Sequence, residues 1–324
     1  MRDVFVSIRG RVAISVEALN MTESVGNYVK HRRVPVTLRE DDGSYSVYFV
    51  PAISGESIAH ALQAIFAEAC NEANSKGRVI LPVCGLCSKG IFLKSSNKQI
   101  LSEAIPAASK GSKDVEDLVI KNCVVEDVGG FLYAEEANVK RTSNFYTGYM
   151  IPAREALKSA ITEPQLHSRY ALGTKFVERG TGGQMLYYVE LASTIYTFSL
   201  DIDTRYIGKI AFNVEKAGTP VVGDAERVAR ATAFIDAVKK LLVESSFGAK
   251  RTRFLPTIDW ESMVIAVSDR PWTVPTSFTK SYIERAQKKK EKISHNTELY
   301  TFEGGSFETY VSEALDRIKQ RIAS

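Results

Sequence analysis

Apolar and polar positions alternate at the start of the chain, with Val4, Val6 and Ile8, then Val12, Ile14 and Val16 on one side of the pattern. A period of two predicts a long strand over residues 4–19, bent near Gly10. Two further β-rich runs, Val34–Arg39 and Tyr45–Val50, flank Asp41-Asp42-Gly43-Ser44. Glycine supplies the positive φ of a tight turn, so these runs predict a hairpin. The period then becomes helical. Ser54 can cap a helix whose apolar face is Ile58, Leu62, Ile65, Phe66 and Ala69, ending near Asn74.

Periodicity is lost over 77–116, a stretch rich in Ser, Lys and Gly that reads as an insertion. Leu118–Val128 has strand character, and Asn144–Ile151 predicts an aromatic strand closed by Pro152. Residues 164–183 are polar and Gly-rich, a second excursion, before a long strand over Leu186–Ile202. Asp224 opens a second helix, with Val228, Ala231, Phe234, Ile235, Val238, Leu241 and Leu242 on one face and Gly248 as its stop. A strand over Ile258–Val267 and a basic segment, Arg285–Lys292, lead to an amphipathic helix with Val311, Leu315, Ile318 and Ile322 inside.

Without the insertions the order is strand, helix, strand, strand, helix, strand. That is the split βαβ plan of a ferredoxin-like or RRM-like (RNA-recognition) domain. The expectation is an α+β protein with a discontinuous core of 1–76, 143–152 and 186–268. Into it are set 77–142 and 153–185, and 269–324 forms a C-terminal segment.

Composition adds little to this picture. Hydrophobic residues make up 44% of the 324, enough to build a core without disulfides. The longest apolar stretches, Val79–Cys87 and Leu191–Leu200, fall well short of the roughly 18 residues a spanning helix needs. No signal-peptide pattern is visible at the N-terminus, so the cytoplasm is the expected compartment. The chain lacks GxxxxGK[ST], a GxGxxG opening a helix, HExxH and GxSxG, which removes the common nucleotide-binding, metalloprotease and hydrolase signatures. No motif calls for a cofactor.

Four cysteines, Cys70, Cys84, Cys87 and Cys123, are present. Cys84-Gly-Leu-Cys87 has the spacing of half a zinc knuckle, and no second half follows. Cys70 and Cys123 could complete a site only if the fold brings them there, so no metal ligand set is complete in sequence. His60 reads as a packing residue on the flank of its helix stripe, and His167, beside Arg169 in the polar excursion, as a contact residue.

Net charge is only +4, from 42 Lys and Arg against 38 Asp and Glu, so clustering matters more than the total. Lys30-His31-Arg32-Arg33, Lys140-Arg141-Thr142-Ser143 and Lys250-Arg251-Thr252-Arg253 each set cations beside hydroxyls or glycines at an element boundary. Such loops suit phosphate, because backbone N–H groups and side-chain donors can converge on one anion. Phe131 and Tyr133 offer faces for stacking a base. An aromatic RNP1 strand is missing, so RNA binding would run through loops and not across an open sheet.

Several segments together resemble the Cascade backbone subunit of archaeal type I-A CRISPR systems, the DevR branch of the RAMP superfamily. They are Ala18-Leu19-Asn20 with Glu23–Asn27 and Lys30-His31-Arg32, then Val50–Glu56 running into Ala59-His60-Ala61. Asp127–Ala134, Arg141-Thr142-Ser143, Gly148–Ala153, Ala192-Ser193, Tyr196-Thr197-Phe198 and Phe247–Pro256 follow in the same order. The resemblance spans most of 8–267. It implies a crescent-shaped molecule with an RRM-like palm and a thumb-like 153–185. Such a subunit polymerises along a CRISPR RNA (crRNA) without base specificity, as a helical homo-oligomer beside other Cascade subunits, while target DNA pairs with the guide.

The resemblance also implies RNA contacts at Asn20, Asn27, Lys30, Arg32, Ser54, Gly55, Gly130, Phe131, Arg141, Ser143, His167, Lys250, Arg251 and Arg253, with no catalytic residue. Two other classes compete with it. A metal-dependent ribonuclease would use Asp127 first, as loop aspartates do in related type III subunits, and a protein-only assembly component would bind RNA no better than any basic protein.

Overall fold

The computed structural model describes residues 1–75, 80–106, 114–135, 138–171 and 183–324. β1 (Phe5–Glu17) forms the middle of the main sheet. The next strands are β2 (Met21–Val25) and β3 (Tyr28–His31), then the hairpin β4 (Arg33–Arg39) and β5 (Tyr45–Pro51). As expected, Gly43 takes φ +87° in the hairpin turn, and Asp42 Oδ1 accepts from Ser44 N–H at 2.9 Å. α1 (Gly55–Ser75) starts where the cap predicts, with Ser54 Oγ accepting from Ser57 N–H at 3.3 Å.

Three helices follow: α2 (Lys98–Ala104), α3 (Val115–Asn122) and α4 (Val124–Gly129). Here the expected strand over 118–128 is overturned. Val115 and Val119 recur at helical spacing, Glu116 and Asp117 favour a first turn, and the extended Cys123 breaks the run in two. A short β-branched run carries both readings, and burial against α1 decides for helix.

The short strands β6 (Phe131–Tyr133) and β7 (Val139–Arg141) pair with each other, and β8 (Phe145–Thr147) is all of the 144–151 run that forms a ladder. β9 (Thr162–Ala171) and β10 (Gly183–Asp203) form a long antiparallel hairpin, so the second excursion begins as a strand. Its remainder, 172–182, lies outside the described residues. α5 (Asp224–Val243), β11 (Thr257–Ser268), α6 (Tyr282–Lys292), β12 (Glu298–Phe302) and α7 (Phe307–Ala323) complete the chain.

In the main sheet β11, β1, β10 and β8 lie side by side, each pair antiparallel. α1, α5 and α7 layer on one face, with Phe66 edge-on to Phe234 at 5.1 Å. Met263, Ile265 and Val267 face that layer, while Val264 and Ala266 pack with Trp272, Tyr282 and Ala286 around α6 on the other side. Burial on both faces explains why β11 reads as a continuous apolar run without alternation. Gly10 sits where a Cβ would lie 2.9 Å from the Trp260 ring, next to the register shift at Arg11/Val12, so the irregularity falls where the bend is expected.

Candidate nucleic-acid interface

The site begins where β1 ends. Val16 takes φ +59°, and the buried Glu17 carboxylate then gathers the chain around it. It accepts from Leu19 N–H at 2.7 Å and Tyr196 O–H at 2.6 Å, and it faces His31 Nε2 at 2.6 Å. His31 Nδ1 lies 2.8 Å from the Arg32 carbonyl, so both ring nitrogens meet acceptors. Burial lowers the His31 pKa, but Glu17 outweighs it and holds the imidazole above its ordinary value.

This anchor fixes Asn20. Asn20 Oδ1 accepts from Arg32 Nε at 2.7 Å and from Ser54 N–H at 3.1 Å. Arg32, half-buried, is thereby set beside the N-terminus of α1, where the helix dipole also favours an anion. Gly55 leaves no room for a side chain, since a Cβ would lie 2.6 Å from the Thr147 carbonyl.

The loop after α5 docks on the same corner. Gly248 takes φ +84° with Leu19 pressed against it, and Ala249 N–H donates to the Leu19 carbonyl at 2.7 Å. Lys250 and Arg253 are exposed and Arg251 half-buried. Among the described residues, no acidic side chain pairs with Arg32, Lys250, Arg251 or Arg253. Phe254 meets the His167 ring edge-on at 5.2 Å; His167 stacks on Tyr187 at 5.4 Å, and Arg169 lies 5.5 Å over that same tyrosine. Further along β10, Asn27 Nδ2 donates to the Leu186 carbonyl at 3.0 Å, and Lys30 pairs with Glu23 at 3.0 Å. Asn20, Arg32, Ser54 and Gly55 thus lead through Leu19 and Ala249 to the loop of Lys250, Arg251 and Arg253, and through Phe254, Tyr187 and Leu186 on to His167 and Asn27, a ribbon with Lys30 beside it.

Ser143 reaches the other side of α1. It lines a cleft of about 300 Å³ with Gly55, Gln63, Lys94, Thr147 and Tyr149. Both polar atoms of the Gln63 amide are buried without a partner there.

Two expected contacts, Arg141 and Phe131, are corrected, and Gly130 has a structural reason of its own. Arg141 is buried and all five of its N–H donors are used. Nε donates to the Asp127 carbonyl at 2.9 Å, and Nη1 to Glu116 Oε1 and the Lys209 carbonyl, both at 2.9 Å. Nη2 donates to Asp127 Oδ1 at 2.5 Å and to the Tyr206 carbonyl at 2.8 Å. No donor is left for phosphate. Phe131 is 3% exposed and belongs to the core, so it cannot stack on a base in this conformation. Gly130 is required by the chain itself: it takes φ +71°, and a Cβ would lie 2.6 Å from the Arg141 carbonyl and the Ser143 nitrogen. Asn20, Ser54 and Gly55 are also buried, and they shape the ribbon from beneath.

The nuclease candidate fares no better. Asp127 is 0% exposed, and its second oxygen is held by Arg230 Nη1 at 2.8 Å and Gly208 N–H at 2.9 Å. A carboxylate so enclosed cannot meet RNA. His60 is exposed and edges onto Phe92 at 5.1 Å.

Arg169, Tyr187, Phe254, Lys94 and Gln63 are absent from the expected contact set. Arg169 was detectable, because it lies two residues from His167 and a strand puts both on one face. The others needed the tertiary neighbours.

The family described as CRISPR-associated negative auto-regulator DevR/Csa2 matches residues 8–287. "CRISPR-associated protein Cas7/Csa2 1" of Saccharolobus solfataricus is 35% identical over 289 residues, 88% of this chain and 86% of that one. "CRISPR-associated aCascade subunit Cas7/Csa2 2" of the same organism is 37% identical over 85% of this chain and 83% of the relative. "CRISPR-associated protein Cas7/Cst2/DevR" of Methanocaldococcus jannaschii is 27% identical over 87% of each. A chain of a solved "CRISPR RNA-guided surveillance complex, pre-nicking" superposes with a TM-score of 0.51 at 11% identity, covering 97% of this chain and 99% of its own. That last likeness concerns the fold.

Proposed function

The chain belongs to the CRISPR-associated DevR/Csa2 family, and from that premise we propose that it is the backbone subunit of a Cascade surveillance complex, gripping crRNA by its phosphates. It polymerises along the guide as a helical homo-oligomer, meets other Cascade subunits, and leaves the bases free to pair with target DNA. The observation that carries the reading is the ribbon from Arg32 and the start of α1 to Lys250, Arg251, Arg253 and His167. Its cations lack acidic partners, so an approaching polyanion has no internal ion pair to displace. Arg169, Tyr187 and Phe254 add guanidinium and ring faces to its far end.

The finer architecture belongs to the same proposal. The strand order β11, β1, β10, β8, with α1 and α5 as the two crossovers, supports a ferredoxin-like palm. On it 77–142 and 153–185 act as inserted subdomains of a crescent, and 269–324 as a C-terminal segment. The complex works in the cytoplasm, and no described helix is long and apolar enough to cross a membrane. The role is one of binding and not of cleavage, a reading supported by the enclosure of Asp127.

The test is binding of a labelled single-stranded RNA long enough for several subunits, across a salt series, with microscopy of the product. With about four phosphates neutralised per subunit, log K should fall against log salt with a slope near −3. Curved, regular filaments with intact RNA are expected. Shortened RNA would move the assignment to a nuclease, and a slope near zero would contradict a phosphate grip.

A further inference from the structure

The half-knuckle at Cys84–Cys87 finds its missing partner in the fold. Cys123, the residue before α4, brings its thiol to the pair, and the three Sγ atoms lie within 4.8 Å of one another. All three cysteines are buried. Tetrahedral thiolates on one zinc stand roughly 3.8 Å apart, given Zn–S bonds of about 2.3 Å, so closing onto a metal requires at most about an ångström of movement.

The cluster is built differently from an ordinary patch of core thiols. Backbone N–H groups point at sulfur: Cys84 N–H at Cys123 Sγ and Cys87 N–H at Cys84 Sγ, each at 3.4 Å. Such donors favour a thiolate over a thiol. The corner is locked by Val124 N–H donating to the Pro82 carbonyl at 2.8 Å. A carboxylate is buried with the sulfurs: Glu126 is 0% exposed, and its Oε1 lies 2.9 Å from Cys87 Sγ. Its Oε2 is buried with no hydrogen-bond partner at all. Oε1 also accepts from Leu93 N–H at 2.8 Å, and an orphaned second carboxylate oxygen beside the Cys87 thiol is costly in a core and natural in a ligand set. Glu126 follows Cys123 by three residues, as Cys87 follows Cys84, so each half of the cluster has the same spacing.

Cys70 is the control within the chain. It is buried in the apolar core beside α1's other inward residues, with no hydrogen bond, and burial pushes its thiol up to about 12. Cys84, equally a buried cysteine, instead receives the Cys87 N–H on its sulfur at 3.4 Å and has two further thiols within 4.8 Å. Packing alone explains the first and not the second.

We propose that Cys84, Cys87, Cys123 and Glu126 form a structural site for a tetrahedral d¹⁰ divalent cation, zinc in the first instance. The site ties the turn at 84–90 to the α3–α4 corner. It is closed and non-catalytic, since four protein ligands leave no position for substrate. Binding releases the thiol protons and changes no oxidation state.

The experiment measures metal content of the full-length protein purified under reducing conditions without chelator, by elemental analysis and native mass spectrometry. One zinc per chain is expected, falling to near zero in Cys123→Ser and unchanged in Cys70→Ser. Zinc equally lost from Cys70→Ser, or none in the wild type even after zinc is added back, would overturn the site. So would a chain lighter by two hydrogens, because it would reveal a disulfide instead. Should Cys123→Ser not fold, cobalt exchange into the wild type decides the matter. Thiolate-to-cobalt charge transfer with intense tetrahedral visible bands supports the site, and pale octahedral cobalt overturns it. In Glu126→Gln the charge-transfer band should persist while the visible bands shift; unchanged bands would remove Glu126 from the ligand set.

Discussion

Two segments with the same local chemistry meet opposite fates in this molecule. Gly129–Ser143 and Phe247–Arg253 each combine a glycine turn, an aromatic residue and a basic cluster with a hydroxyl. In the first, Arg141 disappears into a network with Glu116 and Asp127, and Arg230 completes it from α5. In the second, only Phe247 is buried, and Lys250, Arg251 and Arg253 stay without acidic partners. The difference lies in what the fold carries to each loop. α3, α4 and α5 deliver carboxylates and an arginine to the first, whereas the second rests on the apolar Leu19 corner and keeps its charge. A cation that holds its own fold together cannot also hold a partner, so identical motifs divide into scaffold and surface.

The strongest way to break this contrast is at Asp127. Asp127→Ala leaves Arg141 and Arg230 buried without their shared counter-ion, which should cost about 3–5 kcal/mol in urea unfolding. The RNA affinity of the fraction that remains folded should not change. A variant as stable as wild type would show that the network does not bear on stability, and lost binding at full stability would return Asp127 to the site.

The opposite result is expected from the other loop. The double variant Lys250→Ala with Arg253→Ala should stay within roughly 0.5 kcal/mol of wild-type stability. Its salt slope for RNA should flatten by about 1.4, two phosphates' worth for a single strand. An unchanged slope would take this loop out of the interface.

The smallest effect concerns the anchor beneath the ribbon. The His31 pKa stands above its ordinary value in the folded protein, so protonated His31 adds stability that is fully present below about pH 6.5. That contribution is lost as the pH rises through the folded value. The stability difference between wild type and His31→Gln should therefore shrink with rising pH across that window, in denaturation curves recorded at matched ionic strength. A difference that grows with pH would mean that the buried ring is held neutral.

Much of the frame was legible along the chain. The hairpin at Asp42-Gly43, the helices opening at Ser54 and Asp224, the strands of β10 and β11 and the last amphipathic helix follow from periodicity, capping and turn residues. Leu118–Val128 was misread because its short β-branched run suits a buried strand as well as two short helices, and the choice depends on what covers it. The polar residues from 164 onward read as an excursion from the core, and the ladder that β10 supplies to 162–171 was not legible in them.

For the site, the sequence by itself determined the ingredients: which loops carry cations, where glycine permits a tight turn, and a CxxC that lacked two ligands. Only the tertiary structure decided their roles. It spent Arg141 and Phe131 on the core, left Lys250 and Arg253 to solvent, and brought Cys123 and Glu126 to the half-knuckle across nearly forty residues of chain. The physical reason is that periodicity and capping act between near neighbours along the chain. Ion pairing, burial and metal ligation depend on separations of a few ångströms in space, which sequence spacing does not set.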